Sequence, residues 1–230
     1  MTLSVAEWQA VATSLQVALR ALVFSLPLAV LLAWLLARRR FFGHSLLDAL
    51  VHSPLVLPPV VLGYLLLLLF GVQGPIGHWL DDAFGVRLVF TTNGAALAAG
   101  IVALPIMVRT IRLSLQAIDP RLEIAASSLG AGPVDRFFKV TLPLALPGIL
   151  AAALLGFALC LGEFGAVITF AANVPGETQT LALAIYGALQ TPGGEPMALR
   201  LAVISVLIAV IALLAAEWLS RRANRWGARA

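Results

Sequence analysis

The sequence predicts an all-α protein, a polytopic membrane helix bundle with about five transmembrane helices. Of its 230 residues, 61% are hydrophobic and 11% are charged, whereas a typical soluble domain has about 25% charged residues. The mean hydropathy is +1.00, and a chain of this length has no water-soluble way to bury so much apolar surface. The third observation is a series of uncharged apolar stretches, which makes residues 1–230 a single transmembrane domain.

A spanning helix needs about 20 mainly apolar residues. Five segments meet this requirement, in chain order 21–37, 54–72, 88–108, 147–168 and 201–216. The fifth is short, but extension to Trp218 or back past Met197 gives it the required length. A further uncharged run, 178–194, contains too many Thr, Gln and Gly residues for a span. We expect an interfacial or re-entrant segment there, on the outer face.

The distribution of basic residues predicts the orientation, because they are enriched on the cytoplasmic side of membrane proteins. With the N-terminus outside and the C-terminus in the cytoplasm, twelve of them are cytoplasmic: Arg38, Arg39, Arg40, Arg109, Arg112, Arg121, Arg136, Lys139, Arg221, Arg222, Arg225 and Arg229. The outer side keeps three, Arg20, Arg87 and Arg200. Ser4 and Glu7 form an S-x-x-E pattern that predicts a capped helix start outside the membrane. The N-terminus lacks the positive leader of a secretory signal, so the first span is predicted to be retained.

The cytoplasmic loop 119–143 contains two predicted helix starts and a sharp corner. Asp119 and Pro120 are typical of the first residues of a helix. An apolar stripe with helical spacing follows them, formed by Leu122, Ala125, Ala126 and Leu129. Gly130 stands where a left-handed helix stop is expected. Pro133 can then start a second short helix, with Asp135 near its beginning and Lys139 near its end.

This loop resembles the E-A-A loop of the permease subunits of bacterial ABC importers, in which G and I-x-L-P follow at fixed spacing. The matching residues are Ala125, Ala126, Gly130, Val140, Leu142 and Pro143. Ile124 occupies the position of the motif's Glu, and Glu123 stands one residue earlier. The resemblance implies a type I ABC importer permease fold and a coupling helix that sits in a groove of an ATP-hydrolysing subunit. The implied contact residues are Glu123, Ala125, Ala126, Ser127, Leu129, Gly130, Ala131, Gly132 and Pro133.

No nucleotide site is predicted in this chain. A P-loop requires G-x-x-x-x-G-K-[ST], and the one lysine, Lys139, follows Phe138. We therefore expect no enzyme activity and no cofactor here, with ATP and magnesium bound by two partner ATPase subunits. The net charge of +4 reflects basic residues at helix ends and does not indicate nucleic acid. His44, His52 and His78 are too scattered for a metal site.

A resemblance to molybdate importer permeases, with sulfate permeases as close relatives, extends over nearly the whole chain. Its residues include SPLVLPPVVLGYLLLLLFG, 53–71, and LGEFGAVITFAANVPGETQTLALAIYGALQTPGGE, 161–195. It implies a tetrahedral oxyanion substrate, delivered by a periplasmic or extracellular binding protein to the outer loops 73–87 and 169–200. It also implies location in the bacterial cytoplasmic membrane. Molybdate, tungstate and sulfate stay open at this point.

One chain supplies only five spans, which are few to enclose a path for a dianion. We therefore expect the path to lie between two copies of the chain. The candidate gate or pore residues are Pro58, Pro59, Gly63, Glu163 and Phe164. The prolines predict a broken second helix, either a plain kink or a pore-lining element. Glu163 would repel an oxyanion, so its alternatives are structural pairing and a gating contact between subunits. A second class, an autonomous secondary transporter, would need a relay of buried acidic or His residues, and Glu163 alone is available.

Overall fold

The computed structural model describes residues 3–227, and for residues 216–227 the backbone alone. In order, the helices are α1 Val5–Arg38, α2 His44–His52, α3 Pro59–Phe70, α4 Pro75–Phe84, α5 Thr92–Gln116, α6 Pro120–Ser128, α7 Pro133–Arg136, α8 Leu142–Gly162, α9 Gly165–Ala171, α10 Leu181–Leu189 and α11 Glu195–Gly227. The predicted all-α class is therefore confirmed. The arginine side chains at 221, 222, 225 and 229 lie outside the described residues.

Within residues 3–227, four helical segments are long and apolar enough to span a membrane, and a fifth span results if one bent pair counts as a single unit. The four are Val5–Arg38, Thr92–Gln116, Pro133–Gly162 and Glu195–Ala215. The bent pair joins His44–Leu55 to Pro59–Phe70 at 116°. The break that the sequence predicts in the second span, 54–72, is present at Pro58 and Pro59, and α3 alone extends only about 18 Å.

Helix α1 is one unbroken helix of 34 residues, longer than the predicted first span. Its start has the predicted capping box, in which Ser4 and Glu7 exchange hydrogen bonds. It packs along α5, the most buried of the spans, through small side chains that allow two helices to approach closely. The fully buried residues of this contact include Ala18, Ala21, Ala29 and Ala33 of α1 and Ala95, Ala96, Ala99 and Ala103 of α5.

The fourth span differs from the predicted 147–168 at both ends. One helical run extends from Pro133 to Gly162, with a wider, π-helical turn at Phe137–Thr141. The predicted second loop helix therefore does not end near Lys139, and it continues into α8. Pro143 is the second residue of α8, directly after the π-helical turn, and Pro147 is accommodated inside the helix.

The run 178–194 contains α10, whose nine residues are too few to cross a bilayer, as predicted. Buried contacts with both long terminal helices fix its position, with Ala10 and Val11 of α1 and Leu201 of α11. The backbone N–H of Leu181 donates to Ser14 Oγ of α1 at 2.6 Å. Arg200 of α11 donates to Glu7 Oε1 at 2.7 Å, and Glu7 is 1% exposed. The start of α1, α10 and the start of α11 thus form one packed unit.

Candidate functional site

The predicted corner is present after α6. Asp119 caps this helix by accepting from the backbone N–H of Arg121 at 2.9 Å. At the other end the N–H of Gly130 donates to Ser127 O, and that of Ala131 donates to Ala126 O, both at 3.0 Å. These two bonds form a Schellman motif. Gly130 has φ +88°, the left-handed conformation that glycine adopts without steric cost.

Glu123 faces the protein and joins three elements. Its Oε1 lies 3.0 Å from Nη2 of Arg38, the last residue of α1. The same oxygen accepts from Thr141 Oγ1 at 3.0 Å, and Thr141 is buried at the entry to α8. We call Arg38, Glu123 and Thr141 the brace. Through the brace, α6 is attached to the ends of two membrane-spanning helices.

Aromatic contacts hold the following turn against α1. The Phe137 ring meets Trp34 edge to face, with centroids 5.8 Å apart. The Arg39 guanidinium lies over the Trp34 ring, 5.5 Å from its centroid. Phe137 begins the π-helical turn, a feature often found at functional sites. The corner and its turn are therefore fixed to the spans at two separate places.

The outward surface of the corner is apolar and uncovered. All nine residues of α6 are at least partly exposed, and the exposed fraction reaches 90% at Leu129. Ile124 and Val134 are also largely exposed. Of the predicted contact residues, Ala125, Ser127, Leu129, Gly130 and Pro133 are exposed, and Ala126, Ala131 and Gly132 are partly buried. Exposed apolar surface beside polar residues is typical of a binding surface.

The candidate gate residues lie together at the contact between α3 and α9. Pro58 caps α3 and Pro59 is its first residue. A Cβ on Gly63 would lie 2.7 Å from Ala166 O, and one on Gly165 would lie 2.8 Å from Pro59 Cβ. The two helices therefore approach through glycine at two positions. This contact lies beside the C-terminal end of α8, whereas the corner precedes its N-terminal end. The length of α8, about 31 Å, therefore separates the two.

Glu163 and Phe164 form the break between α8 and α9, so Glu163 does not lie inside a continuous span as the sequence suggested. The Glu163 carboxylate accepts from the backbone N–H of Ala166 at 2.8 Å and is 8% exposed. It thereby caps the start of α9. Phe164 packs against Tyr186 of α10, with ring centroids 5.1 Å apart. Structural pairing with a backbone donor, one of the two predicted alternatives, is observed.

Sequence reasoning missed Arg38, Trp34 and Thr141 as parts of the corner. Each is far from Glu123 along the chain, and no helical or strand spacing links them. The one available signal was a carboxylate in a loop that also contains Arg121, Arg136 and Lys139, which indicates an ion pair but not its partner. Within the described residues, no three His, Cys, Asp or Glu side chains converge on a possible metal ion.

The comparisons with known proteins agree with this geometry. Residues 25–225 match the family described as binding-protein-dependent transport system inner membrane component. The chain belongs to this family. It is therefore a permease subunit of an ABC transporter and a multi-pass inner-membrane protein.

Two relatives are similar over nearly their full length. The molybdenum transport system permease protein ModB of Escherichia coli K12 is 54% identical over 221 residues, which are 96% of each chain. ModB of Haemophilus influenzae is 52% identical over 95% of this chain and 96% of its own. The sulfate transport system permease protein CysT of E. coli K12 is 40% identical over 168 residues, 73% of this chain and 60% of CysT.

Solved structures share the fold at low sequence identity. One chain of a bacterial alginate ABC transporter, in complex with a pentasaccharide-bound periplasmic protein, has a TM-score of 0.73 and 19% identity over 95% of this chain and 80% of its own. A chain of the inward-facing MetNI methionine ABC transporter has a TM-score of 0.68 and 19% identity over 94% of each chain. The type I ABC importer permease fold is thereby confirmed.

Proposed function

We propose that this chain is the permease subunit of an ATP-driven importer that carries molybdate across the inner membrane. The observation that carries this proposal is identity of 54% over 96% of both chains with a molybdenum permease. Tungstate and sulfate are the alternatives of similar shape and charge. Sulfate is a candidate because the sulfate permease CysT is also similar, and it ranks second because that similarity covers a shorter stretch, 73% of this chain.

In this proposal the corner after α6 is the docking surface for a separate ATPase subunit. Two copies of the chain each bind one such subunit. Its exposed apolar residues, among them Leu129 and Ile124, would enter a groove of that subunit. The brace transmits the movement, because Glu123 attaches α6 to Arg38 of α1 and to Thr141 beside α8. ATP and magnesium bind the partner subunit, and this chain contributes no catalytic group.

The path for the dianion lies between two copies of the chain, since an ion of this charge cannot cross hydrocarbon. We assign the contact of α3 with α9, including Pro58, Pro59, Gly63 and Phe164, to the gate of that path. The basic ends of the spans face the cytoplasm, and the binding protein docks at the outer loops 73–87 and 169–200. Alternating access then requires the corner and the gate to move together through α8.

Reconstitution tests the proposal. The chain is placed in proteoliposomes with and without an ATPase subunit and a solute-binding protein encoded beside it. Uptake of molybdate should require both partners and ATP, and the chain alone should hydrolyse no ATP. Tungstate and sulfate are compared as competitors at equal concentration. Uptake by the chain alone, driven by a proton or sodium gradient, would contradict the proposal and favour a secondary transporter.

A further inference from the structure

A cleft lined by four arginines lies between the end of α1, the start of α2 and the end of α5. Its volume is about 720 Å³, within the usual range of ligand sites. The polar residues that line it are Arg38, Arg39, Arg40, His44, Arg112 and Gln116. We call this the arginine cleft. We propose that it binds the phosphate headgroup of an anionic phospholipid of the cytoplasmic leaflet.

The charges in the arginine cleft are only partly compensated. Arg38 pairs with Glu123, and Arg112 lies 3.0 Å from Asp48 Oδ1. Among the described residues, no carboxylate lies within 4.0 Å of Arg39 or Arg40. The cleft thus has an excess of two positive charges. Guanidinium groups bind phosphate oxygens in a bidentate manner, so a phosphate has the complementary charge and geometry.

A neighbouring cleft of about 570 Å³ shares Arg112 and Gln116 with the arginine cleft. It adds Arg109 and His52, and Asp48 is the carboxylate in its lining. The basic surface is therefore continuous from α1 past the end of α5. A phosphate in the arginine cleft has room for an attached glycerol headgroup beside it.

The surroundings of the cleft favour a lipid over a free oxyanion. The apolar part of α1 ends at Arg38, which places the cleft at the depth of the headgroups. Next to it Phe42 is fully exposed, and Leu46 and Leu50 of α2 are exposed at 65% and 60%. These apolar side chains would lie against acyl chains while the arginines hold the phosphate. Basic pockets between transmembrane helices on the cytoplasmic side are known to bind lipid headgroups.

The test measures lipid retention by the full chain with its ATPase subunit. The complex is purified in detergent, exposed to equal amounts of phosphatidylglycerol and phosphatidylcholine, and analysed by native mass spectrometry. We expect one phosphatidylglycerol retained per permease chain, and roughly 10- to 30-fold lower retention in R39Q/R40Q. R39K/R40K keeps the charge and should retain at least part of the binding.

The double variant R87Q/R121Q is the matched control, because it removes two arginines outside the cleft and should retain lipid as the wild type does. If R39Q/R40Q does not yield folded protein, R40Q alone is used, since Arg40 is exposed. Equal retention of the two lipids by the wild type, or unchanged retention by R40Q and R39Q/R40Q, would overturn the proposal. So would displacement of the lipid by sodium sulfate at constant ionic strength, which would assign the cleft to a free oxyanion.

Discussion

Two sites near opposite ends of α8, the corner after α6 and the contact of α3 with α9, require glycine for different reasons. At the corner after α6, Gly130 has φ +88° and a Cβ there would have open space around it. At the contact of α3 with α9, Gly63 is helical, but a Cβ would overlap Ala166 and Thr169. The first glycine permits a backbone conformation, and the second permits a close approach. A side chain added at the corner should therefore leave the packing of the bundle intact, whereas one added at the α3–α9 contact should disrupt it.

The largest effect is expected from Gly63→Val. The added carbons must separate α3 from α9, and overpacking of this kind costs about 1–3 kcal/mol. The melting temperature of the purified chain in detergent should fall by roughly 3–10 °C, with less protein recovered from the membrane. Gly162→Ala is the control, because a Cβ at Gly162 meets nothing within 4 Å. Equal melting of the two variants would show that α3 and α9 are not closely packed.

The brace should affect transport more than stability. Glu123→Ala or Arg38→Ala removes one partner of a half-buried ion pair, with side-chain exposures of 26% and 18%. We expect ATP-driven uptake to decrease by about 10-fold or more, and the combined variant to be no worse than the worse single variant. The control is Asp135→Ala, which breaks the exposed Lys139–Asp135 pair of the same loop. Such a pair contributes about 0–1 kcal/mol, so this variant should stay within about twofold of wild type.

If both pairs gave the same loss of uptake, general charge in the loop rather than the brace would be responsible. A charge exchange, Arg38→Glu with Glu123→Arg, separates these possibilities further. Recovery of part of the uptake in the exchanged variant is expected only if the two side chains act as a pair. Thr141 would still lie beside position 123 in the exchanged variant, so full recovery is not expected.

A smaller effect is expected from Gly130→Ala, which adds a Cβ to a residue in the left-handed conformation. The strain is about 1–2 kcal/mol, so the melting temperature should fall by no more than a few degrees. Uptake should fall roughly 3- to 10-fold, while ATP hydrolysis by the partner falls less. Gly132→Ala is the matched control two residues away, since Gly132 has φ −66° and open space. Normal uptake by Gly130→Ala would mean that the corner does not need this conformation.

The corner was more predictable from the sequence than the α3–α9 contact. Asp119, Pro120 and Gly130 act within one turn of their own helix, so local rules place α6 and its end correctly. The end of α8 depends on Glu163 reaching forward to cap α9, which apolar composition cannot reveal. The contact of Gly63 with Ala166 joins segments about a hundred residues apart, and hydropathy contains no information on it. Long-range partners such as Arg38 are missed for the same reason.

The smallest effect is expected at Glu163. Its carboxylate accepts the Ala166 N–H at 2.8 Å, and the amide oxygen of Gln can accept the same hydrogen bond. Glu163→Gln should therefore keep uptake within about twofold of wild type and leave the melting temperature unchanged. Glu163→Ala loses the cap, which typically costs about 1 kcal/mol, and should melt a few degrees lower. A gate that works through the negative charge gives the reverse order, since Glu163→Gln would then lose uptake and coupled ATP hydrolysis without any loss of stability. The two variants measured side by side thus decide whether this carboxylate fixes a helix start or takes part in gating.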